Sequence, residues 1–208
     1  MSATFPGVIL SGGKSSRMGE PKALLGFGPA RLIDHVAARL RPQVTALALN
    51  TNDPRISLAG ISSFPDAFSE FPGPLGGIHA ALRHSLLAWP DASHVAMAPV
   101  DAPFFPMDLV DRFAEALNGR DDVVLASSLG QLHPVTGLWP VAIIDRLAHW
   151  LENPPTLKVR AFLDGLTVKT VAFSSLQTSL GEIDPFFNIN TPADLAQARE
   201  IREIMQPS

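Results

Sequence analysis

Gly7-Val8-Ile9-Leu10 runs without a break into Ser11-Gly12-Gly13-Lys14-Ser15-Ser16-Arg17-Met18-Gly19-Glu20-Pro21-Lys22. The short apolar run reads as a buried strand, and the loop after it combines glycines, hydroxyls and cations. That composition suits a polyphosphate. Glycine lets backbone N–H groups reach phosphate oxygens with no Cβ in the way, while Arg17 and Lys22 offset negative charge. An isolated Gly-Gly-Lys-Ser is commonly a solvated basic turn, but here a strand precedes it and two spaced cations follow. The P-loop form G-x-x-x-x-G-K-[ST] fails, because Gly13-Lys14-Ser15 requires glycine at position 8, which is Val8. The dinucleotide form G-x-G-x-x-G fails too, since positions 14 and 15 are Lys14 and Ser15.

Outward from this loop, short apolar runs alternate with segments of helical spacing, the pattern of an α/β chain with a mainly parallel sheet. Further strands are expected at 45–49, 61–64, 94–100, 123–127, 135–139 and 168–173. Leu32, Val36, Ala37 and Leu40 mark one helix, which Pro42 should stop. Ile78, Leu82 and Leu86 mark another, starting near Gly77 and ending before Pro90. Pro106 suits the first turn of a third, with Leu109, Val110, Phe113 and Leu117 on its buried stripe and Gly119 at its close. Helices are also expected between Val141 and Leu151 and around 157–163. Thr191-Pro192-Ala193-Asp194 opens the last helix with a Thr cap, a Pro at the first position and an acid in the first turn.

The 208 residues, 46% hydrophobic and 17% charged, can bury one good core, so a single domain over 1–208 is expected. A formal net charge of −4 lacks the broad basic footprint of a nucleic-acid binder, and no nucleic-acid partner is expected. With no cysteine, disulfides, thiolate metal sites and cysteine nucleophiles are excluded, leaving O and N ligands for any metal. No apolar run approaches the roughly 20 residues that span a bilayer. The first seven residues carry no basic segment of a secretory signal. A cytoplasmic protein with no membrane partner is therefore expected.

The pattern L-[AS]-G-G-x-[SA]-x-R-[MF]-G-x-x-K does fit Leu10 to Lys22. The chain resembles the molybdenum cofactor guanylyltransferases, with segments in family order from Gly7 to about Leu195. The resemblance implies a Rossmann-like three-layer nucleotidyltransferase fold with a mainly parallel central sheet. It places Leu10, Ser11 and Gly12 on the guanine and ribose edge, with Ser11 in place of the family's more usual Ala. Gly13, Arg17 and Lys22 would lie on the triphosphate, with Asn50, Asp66 and Gly73 as further GTP contacts. Asp101, ending an apolar run where a parallel sheet opens its carboxyl edge, is the expected ligand of Mg²⁺ and contacts GTP as well. Asp101, Lys22 and Arg17 form the expected catalytic set. Pro65-Asp66 and the run after Asn50 are also natural turn sequences, so those two residues have a structural reading beside the functional one.

For the second substrate, the resemblance points to His133, Arg160, Asn188 and Asn190 as pterin contacts, with Lys158 nearby. In Asn188-Ile189-Asn190 the two amides share one side if the segment is extended. The implied reaction moves GMP from GTP to the terminal phosphate of molybdenum-molybdopterin and releases pyrophosphate. The implied partners are GTP, molybdenum-molybdopterin and, transiently, cofactor-delivering proteins and recipient molybdoenzymes. Two other readings stay open: transfer of CMP to the pterin or of a nucleotide to a sugar phosphate, and a carrier that binds nucleotide or cofactor without catalysis. Leu10-Ser11-Gly12-Gly13 resembles the guanine form rather than the T-A-A-G of cytosine-selective relatives.

Overall fold

The computed structural model describes residues 4–12, 19–68 and 73–205. In chain order its strands are β1 (Gly7–Leu10), β2 (Gly26–Phe27), β3 (Ala30–Arg31), β4 (Leu47–Asn50), β5 (Ser62–Phe64) and β6 (His94–Pro99). They continue as β7 (Val123–Ser128), β8 (Gln131–Pro140), β9 (Val168–Ala172), β10 (Leu176–Thr178) and β11 (Gly181–Ile183). The helices are α1 (Leu32–Leu40), α2 (Pro74–Ala88), α3 (Leu109–Ala116), α4 (Ile144–Glu152), α5 (Val159–Leu163) and α6 (Pro192–Met205).

Seven strands form the central sheet in the order β5-β4-β1-β6-β8-β7-β9. The strand β8 runs antiparallel to both neighbours, and every other pairing in this sheet is parallel. Side chains alternate across the sheet with the two-residue strand period. Val8 and Leu10, Val95 and Met97, and Val123 and Leu125 pack with α2, α4 and α5 on one face. Ile9, Ala96, Ala98, Val124 and Ala126 pack with α1 and α3 on the other. A smaller apolar cluster of Leu25, Phe27, Phe104, Ile189 and Leu195 joins α6 to the β2–β3 hairpin.

The chain builds outward from β1 through β4 to β5, then returns to place β6 on the other side of β1. The sheet therefore reverses direction at β1, and α/β proteins bind ligands in the crevice outside the carboxyl ends of strands at such a point. Leu10 is in register with both Asn50 and Pro99, and Asn50 with Phe64, so the loops after β1, β4, β5 and β6 open on one edge.

Several expected boundaries move. The second long strand is Leu47–Asn50 rather than 45–49. The helix expected near Gly77 starts at Pro74, whose fixed φ and missing N–H suit a first helical position. Pro106 lies outside α3, its carbonyl accepting from Leu109 N–H at 3.3 Å, because the buried Phe104 and Phe105 anchor the chain before the helix turns. Gly119 lies beyond the end of α3 and donates its N–H to Asp122 Oδ2 at 2.9 Å. The β2–β3 and β10–β11 hairpins, with two or three residues per strand, are too short to show alternation in sequence. The opening of α6 is as expected: Asp194 N–H donates to Thr191 Oγ1, and Asp194 Oδ2 accepts from the backbone N–H groups of Asn190 and Thr191 at 2.8 Å each.

Candidate active site

One cavity of about 1260 Å³ occupies the carboxyl edge of the sheet. Its walls bring together Leu10, Ser11 and Gly12 after β1, Asn50 at the end of β4, Asp66 after β5, and Gly73 at the start of α2. Lys22, Asp101, His133, Asn188 and Asn190 line it too. Gly13 and Arg17 lie outside the described residues, as do Phe71 and Pro72 of the expected loop before α2.

At one end of the cavity, Asp66 is held by two amides. Asn50 Nδ2 donates to its Oδ1 at 2.9 Å, and Asn52 Nδ2 donates to its Oδ2 at 2.8 Å. The Asp66 N–H returns the contact to Asn52 Oδ1 at 2.8 Å, so the loop after β5 is stitched to the loop after β4. Asn50 is fully buried, and its Oδ1 has no hydrogen-bond partner among the described residues. A Cβ on Gly77 would come within 3.0 Å of that oxygen, so a larger residue there would press on the Asn50 amide. Asn52 was not singled out from the sequence, where Thr51-Asn52-Asp53-Pro54 carries only the signal of a turn. Beside it, the Arg55 guanidinium holds the Asp53 carboxyl down to about 2.

At the centre, Lys22 Nζ donates to Asp101 Oδ2 at 3.0 Å and to Asn190 Oδ1 at 2.7 Å. The lysine enters from the short 3-10 turn Lys22–Leu24, which Ala23 anchors by burial. Asp101 follows β6, and its carbonyl accepts from Ile189 N–H at 2.9 Å. That bond sets the extended segment before α6: Ile189 is fully buried while Asn188 and Asn190 on either side are exposed to the cavity, as the alternation requires. Asp194 beneath it is held below the usual carboxylate range, chiefly by the N–H of Asn190, with Thr191 and the charge of Lys22 adding to the effect.

At the far end stands His133. The β7–β8 ladder jumps from Leu125 opposite Gly137 to Ala126 opposite His133, leaving Pro134, Val135 and Thr136 without counterparts. Pro134 has no N–H to give to a ladder, and the bulge turns His133 to the cavity wall. His133 Nε2 is 2.6 Å from Ser128 Oγ, which donates to Asp184 Oδ1 at 2.6 Å. The imidazole lies 4.6 Å from the Phe186 ring. Burial pushes His133 below its ordinary value, Arg160 lowers it further, and Asp184 pulls the other way. Neither Ser128 nor Asp184 carries a sequence signal that would have found it.

Arg160 stands outside this cavity. It lines an adjoining groove of about 320 Å³ with Lys158, Leu157 and Val159, which shares Pro74, Pro134 and Val135 with the main cavity. Lys158 caps α5 in an extended conformation, so both cations line the groove despite a spacing of two. Among the described residues no cluster of three or more His, Asp or Glu is placed to hold a metal, and no helix is long and apolar enough to cross a membrane.

Residues 7–170 match the model of the MobA-like NTP transferase domain. The chain is 47% identical over 199 residues to the molybdenum cofactor guanylyltransferase of Rhizobium meliloti, covering 94% of this chain and 91% of that one. It is 43% identical to the enzyme of the same name from Rhizobium rhizogenes, covering 95% and 92%.

The chain belongs to the molybdenum cofactor guanylyltransferase family.

The resemblance read from Leu10 to Lys22 is thereby borne out, and this member of the family is a nucleotidyltransferase. Its fold is also that of the molybdopterin-guanine dinucleotide biosynthesis protein A of Archaeoglobus fulgidus, with a TM-score of 0.73 at 22% identity over 97% of this chain and 100% of that one. The 2-C-methyl-D-erythritol 4-phosphate cytidylyltransferase of Thermus thermophilus shares it at a TM-score of 0.67 and 16% identity, covering 98% and 100%. The Rossmann-like α/β class and the mainly parallel sheet are those of the nucleotidyltransferases.

Proposed function

We propose that the protein transfers GMP from GTP to the terminal phosphate of molybdenum-molybdopterin, forming molybdopterin guanine dinucleotide and releasing pyrophosphate, with residues 1–208 acting as one domain. The observation that carries this reading is the meeting of Lys22, Asp101 and Asn190 at the centre of the cavity. It joins the glycine-rich loop, the sheet edge and the C-terminal segment at one point, with room on either side for a nucleotide and a second substrate.

In this reading Leu10, Ser11, Gly12, Asn50, Asp66 and Gly73 hold the nucleoside, and Asp66 is its most specific contact. Guanine offers adjacent N–H donors on one edge, and a carboxylate already fixed by Asn50 and Asn52 is a preformed acceptor for them. Lys22, with Gly13 and Arg17, binds phosphate oxygens. On the opposite side His133, Asn188 and Asn190 receive the pterin, with Arg160 at the margin.

A terminal phosphate oxygen of the second substrate forms the new bond to the α-phosphorus, the bond to the β-phosphate oxygen breaks, and pyrophosphate leaves with that electron pair. The attacking oxygen is already anionic, so no protein nucleophile is needed. The protein's part is alignment and charge compensation. Magnesium fits this site: Asp101 presents one carboxylate at the sheet edge, and Mg²⁺ is commonly held by one or two carboxylates together with substrate phosphates. When bound at Asp101, the ion would neutralise charge on the phosphate oxygens. Lys22 balances Asp101 and meets the phosphate from the loop side, and Asn190 keeps the ammonium directed inward.

A reaction that consumes GTP belongs where GTP is supplied, which places the protein in the cytoplasm, in transient contact with proteins that deliver the pterin or receive the product. The test is pyrophosphate release by the purified protein given molybdenum-molybdopterin and Mg²⁺ with GTP or CTP. GTP-dependent release with formation of the dinucleotide is expected. Preference for CTP, or tight GTP binding with no pyrophosphate released, sinks the reading.

A further inference from the structure

Ser128, His133 and Asp184 form a connected polar chain in the wall of the cavity that the reaction outlined above does not use. Ser128 is 97% buried, and only one proton is available on its hydroxyl. That proton goes to Asp184 Oδ1 at 2.6 Å, an oxygen that also accepts the N–H of Phe186 at 2.8 Å. The hydroxyl oxygen, 2.6 Å from His133 Nε2, is then left as an acceptor, and the ring nitrogen facing it must carry the hydrogen. The imidazole packs against the Phe186 ring on one side, tilted by 33° with centroids 4.6 Å apart. Its Nδ1 accepts or donates no hydrogen bond among the described residues, and it is not one of the buried polar atoms without a partner. A neutral imidazole with Nε2–H has a bare lone pair on Nδ1, so the chain Asp184–Ser128–His133 turns a histidine of undetermined tautomer into a directed acceptor.

We propose that Ser128 and Asp184 are positioning residues that lock His133 as its Nε2–H tautomer, so that Nδ1 accepts a hydrogen bond from an N–H donor of the second substrate. The inference rests on the reading of this side of the cavity as the pterin site. A pterin ring carries N–H donors on its edge, whereas a phosphate offers only acceptors and would be repelled by the Nδ1 lone pair. His133 therefore reads the ring, and the phosphate is left to the cations. The second substrate is thus recognised by a tautomer, which Ser128 fixes without touching it. The hydrogen bond made by one ring nitrogen of a histidine sets which nitrogen carries the proton, and so what the other can accept.

The test combines nitrogen-15 NMR of the imidazoles with steady-state kinetics, the His133 signals being assigned by their loss in His133→Gln. In the wild-type protein His133 should show protonated Nε2 and unprotonated Nδ1, and adding molybdopterin should shift the Nδ1 resonance. Ser128→Ala should scramble the tautomer and raise the KM for molybdopterin about 10-fold, the loss of roughly one hydrogen bond, while the KM for GTP stays within about twofold. Asp184→Asn keeps an oxygen for the Ser128 hydroxyl and should preserve the Nε2–H tautomer; Asp184→Ala should not. Protonated Nδ1 in the wild type overturns the proposal without any variant needing to fold. So does an unchanged molybdopterin KM in Ser128→Ala, or an equal rise in both KM values. If the wild type turns over GTP with molybdopterin while these readouts fail, only the tautomer lock is lost. If it does not accept molybdopterin at all, the pterin reading falls with it.

Discussion

Lys22 and Asp101, 79 positions apart in the chain, meet with Nζ 3.0 Å from Oδ2 at the carboxyl edge of the sheet, both side chains about one-fifth exposed. The pair is half-buried, but both groups line the open cavity, where water can replace either partner, so its loss costs the fold only modestly. Asp101→Ala should therefore fold normally, with circular dichroism and melting temperature near those of the wild type, yet lose at least about 1000-fold in turnover if the carboxylate carries the metal. Full magnesium-dependent turnover in this variant would remove Asp101 from the mechanism.

Asn190 shares the same ammonium at 2.7 Å. Asn190→Ala leaves Lys22 its pair with Asp101 but removes a contact that directs the ammonium. A fall in kcat of about 3- to 10-fold is expected, in line with one hydrogen bond to a charged group that is partly exposed. Stopped-assay pyrophosphate release measures it. Lys22→Ala should be far more damaging, and equal activity in the two variants would show that Asn190 is the residue that matters.

Asp66 is fixed by Asn50 and Asn52 before any ligand arrives. Asp66→Asn removes the charge while nearly preserving shape. The KM for GTP should rise by about 10- to 100-fold, as expected for losing a charge-assisted pair, with a smaller change in kcat. A KM that does not move would assign Asp66 to holding the loops together and nothing more.

Gln43, in the 3-10 turn after α1, is buried and fully used: Nε2 donates to the carbonyls of Arg39 at 2.9 Å and Pro106 at 3.1 Å, and Oε1 accepts from Val110 N–H at 3.1 Å. Gln43→Ala leaves Val110 N–H and two carbonyls without these partners away from water. A loss of about 2–3 kcal/mol is expected in urea unfolding, with catalysis per folded molecule unchanged.

Burial pushes His35, His79, His84, His94 and His133 below their ordinary value of 6.5. Between the folded and unfolded values the unfolded chain binds more protons, so stability rises with pH in that window. The contribution is fully present above 6.5 and is lost as pH falls through the depressed folded values. Urea midpoints at pH 7.5 and 5.5 should differ, with the lower midpoint at pH 5.5; an equal or higher midpoint at pH 5.5 contradicts neutral buried histidines.

Much was legible from local chemistry. The four-residue run Gly7–Leu10 is a strand in the structure, and the opening of α6 follows from Thr191, Pro192 and Asp194, because strand alternation and helix caps act over a few residues. The inward pair Asn188 and Asn190 follows from the same two-residue period about Ile189. What the sequence could not contain was the order of the strands. That β8 enters the sheet antiparallel between β6 and β7, with Gly137 so close that a Cβ would lie 2.4 Å from the Val124 carbonyl oxygen, depends on how the chain buries both faces of the sheet at once. That insertion, with its bulge at Pro134, carries His133 to Ser128 and Asp184. In the same way the closing of Lys22 on Asn190, 168 positions away, is decided by α6 docking on the first hairpin. The sequence by itself determined the elements and the chemical character of the nucleotide loop. The tertiary structure alone decided which distant side chains that loop would meet, because those contacts depend on long-range packing that no local period encodes.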